Sequence, residues 1–125
     1  MKLDRVIIKA ADYRKSFAFY HDTLGLKLKS SWQRPDSWGA LFFCGDALLE
    51  IIWFPVGEEN ADCSYIPERS KTELFLAVSN VDSLYNRLRS VENLKLTEPS
   101  DKPWGYRIFD VYDPDGIKIV FSQPI

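Results

Sequence analysis

The chain has 125 residues, 46% of them hydrophobic and 27% charged, which is the size and composition of one folded domain and excludes a disordered segment. Sixteen basic and eighteen acidic residues leave a net charge of -2, which argues against nucleic-acid binding because that function needs a basic surface. No apolar run approaches the ~20 residues that cross a bilayer, and charges follow Met1 too soon for a signal peptide. We therefore expect a cytoplasmic protein with neither a nucleic acid nor a membrane as its partner.

The first predicted elements are a strand and a helix. Residues 3–10 alternate as strand residues do, and one face of this strand carries Arg5, Ile7 and Lys9. Asp12 is placed to cap the following helix, and Gly25 is placed to end it. The apolar stripe predicted for this helix consists of Tyr13, Phe17, Tyr20 and Leu24.

Three β-rich segments follow the helix. They cover residues 26–32, 38–44 and 47–54, and they are separated by Pro35-Asp36-Ser37 and by Gly45-Asp46. Proline, glycine and aspartate favour turns, so these segments predict a small meander of three strands.

The same order of elements begins again after residues 56–71, which show no periodicity and are predicted to be a linker. Residues 72–79 predict a strand, and either Ser79 or Asn80 caps the next helix. The apolar stripe predicted for that helix consists of Val81, Leu84, Leu88 and Val91. Three further strands are predicted at 94–98, 106–112 and 117–122, and the turn Asp113-Pro114-Asp115-Gly116 joins the last two.

The chain is therefore predicted to contain two βαβββ modules, at about 1–55 and 72–125. A unit of ~55 residues gains stability by pairing its sheet with a second copy. We expect an α+β fold, a single domain in which the two modules form a curled mixed sheet around a groove. The strand faces that the helices leave uncovered should line this groove, and in the fifth strand they include Glu73 and Phe75.

Aromatic residues make up 14% of the chain, more than a core of this size requires. One group should pack the helices against the sheets, namely Tyr13, Phe17, Tyr20 and Trp53. A second group lies at loop edges or at strand positions expected to face the groove, namely Trp32, Trp38, Phe42, Phe54, Trp104 and Tyr106. Trp104 is the best single candidate for stacking on a ligand, although packing in a dimer interface or against its own loop would explain it equally well.

Several short motifs occur in a consistent order along nearly the whole chain. They are Asp12 with Phe19-Tyr20, Leu24-Gly25, Val78-Ser79-Asn80-Val81-Asp82, and Trp104-Gly105-Tyr106-Arg107 leading into Asp113-Pro114-Asp115-Gly116. Together with the repeated βαβββ order, they resemble the glyoxalase/bleomycin resistance/extradiol dioxygenase group, the vicinal oxygen chelate superfamily. The resemblance implies the same fold and a small-molecule ligand in the groove.

In enzymes of this superfamily a divalent metal typically lies in the groove, held by up to four side chains from four strands. The resemblance puts these positions at Arg5, Glu50, Glu73 and Val120. Only the two glutamates can bind a cation, and a guanidinium keeps its proton and repels one. We therefore expect no metal and no other cofactor. We hypothesise that Arg5 replaces the cation and neutralises both glutamates; the alternative is that all three are ordinary surface charges.

The expected function is metal-free binding of a flat organic or drug-like molecule, as in bleomycin resistance proteins, by a homodimer. The ligand-binding residues implied by the groove and the family positions are Arg5, Trp38, Phe42, Glu50, Glu73, Phe75, Trp104 and Tyr106. The first alternative is a lyase, isomerase or dioxygenase of the same superfamily, with a relocated metal or with acid–base chemistry by the two glutamates. The second is a vestigial groove in a chain that binds a partner protein. No catalytic residue is assigned.

The remaining candidates for chemistry are a histidine and two cysteines. His21 lies off the apolar stripe of its helix, so we expect it to be exposed and without a catalytic role. Cys44 and Cys63 each lack a second cysteine or histidine at short spacing, so they predict neither a disulfide framework nor a metal knuckle.

Overall fold

A four-stranded mixed sheet with one helical segment forms each half of the chain in the computed structural model. The structure describes residues 1–55 and 72–125, which belong to two units, Met1–Tyr65 and Ile66–Ile125. The predicted linker 56–71 and Cys63 lie outside the described residues. The predicted α+β class is confirmed, and we refer to the described part of each unit as the first and the second module.

The first module has one sheet and one helical segment, and its strand order is β1-β4-β3-β2. Strands β1 and β4 are parallel, and the other pairs are antiparallel. In chain order the elements are β1 (Arg5–Lys9), α1 (Tyr13–Phe17) continuing as a π-helical segment (Ala18–Thr23), β2 (Leu28–Gln33), β3 (Trp38–Cys44) and β4 (Ala47–Trp53).

The second module repeats this arrangement, with the strand order β5-β8-β7-β6 and one parallel pair, β5 with β8. In chain order its elements are β5 (Glu73–Ala77), α2 (Val81–Leu88), β6 (Ser100–Asp101), β7 (Tyr106–Tyr112) and β8 (Lys118–Pro124). The predicted repeat of strand, helix and three strands is therefore observed in both modules.

The sequence places the strand predicted at 94–98 wrongly. Leu96 makes only an isolated bridge to Val111, and the paired strand β6 starts later, at Ser100. Pro99 lies between the two, and because proline has no amide hydrogen it interrupts the ladder there.

Side chains cap both helices at their first residues, as predicted. Asp12 accepts a hydrogen bond from the Lys15 amide at 3.1 Å, and Asn80 accepts one from the Ser83 amide at 2.9 Å. Of the two residues considered for the second cap, Asn80 is therefore the one that forms it. Each cap satisfies a backbone amide that would otherwise lack a partner within the helix.

The predicted turn between β7 and β8 is built around Asp113. Its carboxylate oxygen Oδ1 accepts hydrogen bonds from the Asp115 amide at 2.9 Å and from the Ile117 amide at 2.8 Å. Gly116 has φ 81°, a left-handed conformation that glycine adopts without strain.

The buried stripe of the first helical segment differs from the predicted one. A π-helical turn contains more residues than an α-helical turn, so the buried face shifts after Phe17. Phe17 is only partly buried, and Leu24 is also partly buried. The residues that are buried against the sheet are Tyr13, Ser16, Phe19 and Tyr20.

The core of the first module lies between this helical segment and the sheet, and Phe42 of β3 is at its centre. Phe42 is 0% exposed, and its ring lies 5.7 Å from that of Phe17 and 6.3 Å from that of Tyr20. Trp38, on the same side of β3, lies 5.8 Å from the Tyr13 ring. The expectation that Phe42 and Trp38 face away from the helix was therefore wrong.

The cause of this error is the composition of β3. Trp38, Ala40 and Phe42 point to one side of the strand, and Leu41 and Phe43 point to the other. Because both sides are apolar, the alternation shows which residues share a face but not which face the helix covers.

In the second module, Arg107 joins α2 to the sheet through a charged cluster. Its guanidinium donates hydrogen bonds to both carboxylate oxygens of Asp82, at 3.0 Å, and to Asp101 at 2.9 Å. The hydrogen bond from Arg107 holds the pKa of Asp82 below its usual value. Asp82 is in the first turn of α2, where a carboxylate also interacts favourably with the helix N-terminus.

We expect the Asp82→Asn variant to be less stable than the parent protein at pH 7, by a margin that narrows as the pH falls below the ordinary pKa of a carboxyl group. A carboxyl group whose pKa is lower in the folded state stabilises that state above its unfolded pKa, and this contribution is lost as the pH falls through the folded value. Urea denaturation at pH 7 and at pH 3 measures the difference. Asp46→Asn, in the β3–β4 turn, is the control for removing one surface carboxylate. A stability difference between parent and Asp82→Asn that persists unchanged at pH 3 would contradict the prediction.

Both described helical segments are too short to span a membrane: in residues 1–55 and 72–125 no helix is long and apolar enough to do so.

Candidate functional site

The candidate site residues lie mainly on the sheet face opposite the helix of each module, which we call the helix-free face. Strand pairing places Ile7 of β1 next to Glu50 of β4 on this face in the first module. In the second module Phe75 of β5 lies next to Val120 of β8. Equivalent positions of the two modules are thus occupied by Glu50 and by Val120.

Arg5 and Glu50 form an ion pair on the helix-free face of the first module. The guanidinium Nη1 donates to Glu50 Oε1 at 2.8 Å, and the Glu50 side chain is only 8% exposed. This hydrogen bond is the main reason why the pKa of Arg5 is raised. A buried carboxylate without a partner is costly, so the ion pair offsets the cost of burying Glu50. The predicted neutralisation of Glu50 by Arg5 is therefore present within this module.

Glu73 is paired with a different cation, Lys118 of β8. The Lys118 ammonium lies 3.3 Å from Glu73 Oε1 and 3.5 Å from Asp110 Oδ2. Burial lowers the pKa of Lys118, but the charge of Asp110 and the hydrogen bond to Glu73 outweigh it, so the pKa is raised overall. Lys118 therefore serves two carboxylates in the second module.

The residues at the family metal positions do not fit a divalent metal ion. Arg5 carries a permanent positive charge, and Val120 offers only hydrocarbon. The two glutamates that could donate are already paired with Arg5 and Lys118. Moreover, no group of three His, Cys, Asp or Glu side chains placed to hold a metal occurs in the described parts of the chain. A metal site needs several anionic or imidazole donors together, and this set does not supply them.

Three of the predicted ligand-binding aromatic residues are exposed. They are Phe75 on the helix-free face, with 59% exposure, Trp104 in the loop before β7, with 62%, and Tyr106 at the start of β7, with 42%. Exposed aromatic rings of this kind can contact a ligand or another protein. Phe42 and Trp38, by contrast, lie on the helix side of the first sheet.

Trp32 also lies on the helix-free face of the first module, and it covers Gly39. A Cβ atom at Gly39 would come within 2.2 Å of the Trp32 ring, so only glycine allows the indole to lie flat on this strand. The Arg34 guanidinium lies 5.6 Å from the centre of the same ring. Trp32 therefore lies on the helix-free face, as predicted, and its side chain is partly buried there.

Sequence reasoning missed Asp110 and Lys118. The only available signal was alternation: Asp110 and Lys118 occupy helix-free positions of β7 and β8, next to apolar and aromatic residues, where a charge requires a partner. That Lys118 meets both Glu73 and Asp110 depends on the β5–β8–β7 register, because Glu73 pairs with Lys118 and Asp110 pairs with Val120.

The remaining polar candidates show no catalytic arrangement. His21 is exposed as predicted; its Nδ1 lies 2.8 Å from the Asp22 carboxylate, and its ring stacks on Phe17. Cys44 is partly buried, and burial raises the pKa of its thiol, which makes it less reactive.

Known proteins match this chain along nearly its full length. A sequence model of the Glyoxalase/Bleomycin resistance protein/Dioxygenase superfamily matches residues 2–121. The protein YraH of Bacillus subtilis (strain 168) is 32% identical over 121 residues, which cover 92% of this chain and 92% of YraH.

Solved structures show a similar fold. The crystal structure of SMU.1112c matches with a TM-score of 0.84 and 22% identity, covering 98% of each chain. TnmS3, an antibiotic binding protein from Streptomyces sp. CB03234, matches with a TM-score of 0.75 and 22% identity, covering 100% of this chain and 97% of TnmS3.

Proposed function

This chain belongs to the glyoxalase/bleomycin resistance protein/dioxygenase superfamily, and we propose that it binds a flat organic small molecule without the help of a metal ion. The observation that carries this proposal is the Arg5–Glu50 ion pair at 2.8 Å. It puts a permanent cation of the protein beside the carboxylate at a family metal position. Glu73 is likewise engaged by Lys118.

The comparison with TnmS3 supports the binding part of the proposal. TnmS3 is an antibiotic binding protein with the same fold, so this fold supports binding of an organic compound. Fold alone does not transfer a ligand, and the residues of this chain must therefore identify its chemistry.

We propose ligand contacts within each module separately, namely exposed aromatic rings in the second module and the Arg5–Glu50 pair in the first. Phe75, Trp104 and Tyr106 offer exposed aromatic surface. Arg5 can bind an anionic or carbonyl group of the ligand with the guanidinium hydrogens that Glu50 does not use. Aromatic surface with few oriented polar groups is the composition that small-molecule sites typically have.

We further expect the protein to act as a cytoplasmic homodimer, which sedimentation and cell fractionation would test.

Metal analysis of protein purified without a chelator tests the metal-free part of the proposal. We expect less than stoichiometric zinc, nickel, manganese, iron and cobalt, and no change of melting temperature when these ions are added. One tightly bound equivalent of any divalent metal would overturn this part and favour an enzyme of the same superfamily.

Replacement of Trp104 by alanine should weaken binding of flat aromatic compounds by about fivefold, because one stacking ring contributes on the order of 1 kcal/mol and 1.4 kcal/mol is a factor of ten. Titration calorimetry with a panel of such compounds, starting with naphthalene-2-sulfonate, measures the affinity. Trp104→Phe should keep most of it, and Ile125→Ala, which removes a different exposed apolar side chain, should keep all of it. Equal affinities for the parent and Trp104→Ala would show that Trp104 takes no part in binding.

A further inference from the structure

A cavity lies on the helix side of the first module, and none of the residues proposed above lines it. Its volume is about 290 Å³. It is found where α1 begins, β3 begins and β4 ends, and the residues that line it are Ala11, Asp12, Tyr13, Arg14, Trp38 and Trp53. Its volume is close to the lower end of the range for small-molecule sites, about 300–1,000 Å³.

Three of the residues that line this cavity are aromatic. The centres of the Trp38 and Trp53 rings are 4.9 Å apart with an angle of 60° between the ring planes. The rings of Tyr13 and Trp38 are 5.8 Å apart and nearly perpendicular, at 84°. Rings inclined in this way form a corner in which a bound group contacts more than one ring.

The rings are held in place by the sheet and by a hydrogen bond. Trp38 and Trp53 are direct cross-strand partners in the β3–β4 pair. The Tyr13 hydroxyl donates to the Gly39 carbonyl at 3.2 Å. Since these contacts fix the rings on the sheet, little ordering of the rings is required when a ligand binds.

The charges of the lining favour a cation that needs no hydrogen bonds. The faces of aromatic rings are electrostatically negative and attract cations. Asp12 adds a carboxylate; its Oδ1 accepts from the Lys15 amide at 3.1 Å. A small inorganic cation would need several oxygen ligands, which three rings cannot provide. An ammonium group covered by methyl groups has the opposite requirement, because it offers positive charge and apolar surface together.

We propose that this aromatic pocket binds a small quaternary or highly methylated ammonium compound. The positive head group contacts Tyr13, Trp38 and Trp53, and Asp12 supplies the neutralising charge. Arg14 opposes the binding, because its guanidinium is a like charge at the rim. The pocket uses no residue of the helix-free faces, so it is independent of the function proposed above.

Choline and its neutral isostere 3,3-dimethyl-1-butanol have the same shape and differ in charge, which makes them the test pair. We expect choline and tetramethylammonium to bind saturably, in the millimolar range, and to shift the indole N–H signals of Trp38 and Trp53 in NMR spectra of the full chain at constant ionic strength. The isostere should bind at least about fivefold more weakly, because it lacks the cation–π contribution of about 1 kcal/mol. Equal binding of both compounds, or shifts that increase linearly without saturation, would overturn the proposal.

Three variants assign the effect to the pocket. Trp53→Leu should weaken choline binding about two- to fivefold, because it removes one of the three rings. Asp12→Asn should weaken it about two- to fivefold; asparagine caps a helix as well as aspartate does, so the fold is kept while the charge is removed. Arg14→Gln should strengthen it by a similar factor. A choline affinity that none of the three variants changes would place the binding elsewhere and refute this site. Naphthalene-2-sulfonate binding, which we expect to depend on Trp104, should be the same in all three variants. The proposed function and the ammonium pocket can therefore fail independently of each other.

Discussion

Replacement of Phe42 by alanine is expected to lower the free energy of unfolding by about 3–5 kcal/mol, the usual cost of removing a buried phenylalanine side chain. Phe42 is completely buried and contacts Phe17 and Tyr20 of the first helical segment. The substitution would leave a cavity at this position and would remove ring contacts through which the helix packs against the sheet. The loss is a large part of the 5–15 kcal/mol that typically separates the folded from the unfolded state.

The neighbouring residue is a matched control for this substitution. Phe43 has the same side chain on the other face of the same strand, and it is 41% exposed. Phe43→Ala should cost about 1 kcal/mol or less, because an exposed ring buries little surface that folding would otherwise hide. Urea denaturation of the parent and both variants measures the difference. Equal losses for the two substitutions would show that β3 faces the helix differently from the arrangement described above.

Replacement of Arg5 by methionine is expected to give the second large effect, a melting temperature lower by several degrees. The substitution leaves the Glu50 carboxylate, which is only 8% exposed, without the guanidinium at 2.8 Å. Removing one partner of such a pair costs more than removing both, because the remaining charge is left without compensation. Burying an unpaired carboxylate is costly only while the group is charged, so this cost falls when the group binds a proton.

The sign of the pH dependence follows from this cost of a buried charge. A carboxyl group with a higher pKa in the folded state than in the unfolded state binds a proton more tightly when folded, so lower pH stabilises the folded state. The stability gap between the parent protein and Arg5→Met should therefore narrow as the pH is lowered from 7 toward 4.

Two further variants separate the ion pair from a general effect of charge. In the double variant Arg5→Met with Glu50→Gln, the isolated charge is gone and most of the stability should return. Lys9→Met removes another cation from the same face of β1 and should change the melting temperature little. Thermal unfolding followed by circular dichroism measures all four proteins. Two results would show that the ion pair does not stabilise this position. One is an equal melting temperature for Arg5→Met and Lys9→Met; the other is a double variant no more stable than Arg5→Met.

Several parts of the fold could be predicted because they depend on neighbouring residues in the chain. The Asp12 cap, the turn at Asp113 and the left-handed Gly25 and Gly116 each follow from the chemistry of a few consecutive residues. Strands β3 and β7 have the predicted bounds, since alternation and turn residues mark them at both ends. The repeat of the βαβββ order is a pattern of such local signals.

The candidate site could be predicted only in part. Arg5 and Glu50 were expected to meet, and their side chains form an ion pair. Their strands β1 and β4 are neighbours in the sheet, and both side chains lie on the helix-free face. The partner of Glu73 was not foreseen: Lys118 is 45 positions later in the chain, and the register of β5 against β8 places it there. Register of this kind is set by the packing of the whole sheet and not by any short segment.

The sequence by itself determined which residues alternate, where helices begin and where turns fall, because these depend on the backbone preferences of adjacent residues. Only the tertiary structure decided which side of β3 the helix covers, and so whether Phe42 and Trp38 belong to the core side or to the helix-free face. The physical reason is that β3 is apolar on both sides, so burial on either side would satisfy the hydrophobic effect. Contacts with Tyr13, Phe17 and Tyr20 select one side, and they also create the aromatic pocket on it.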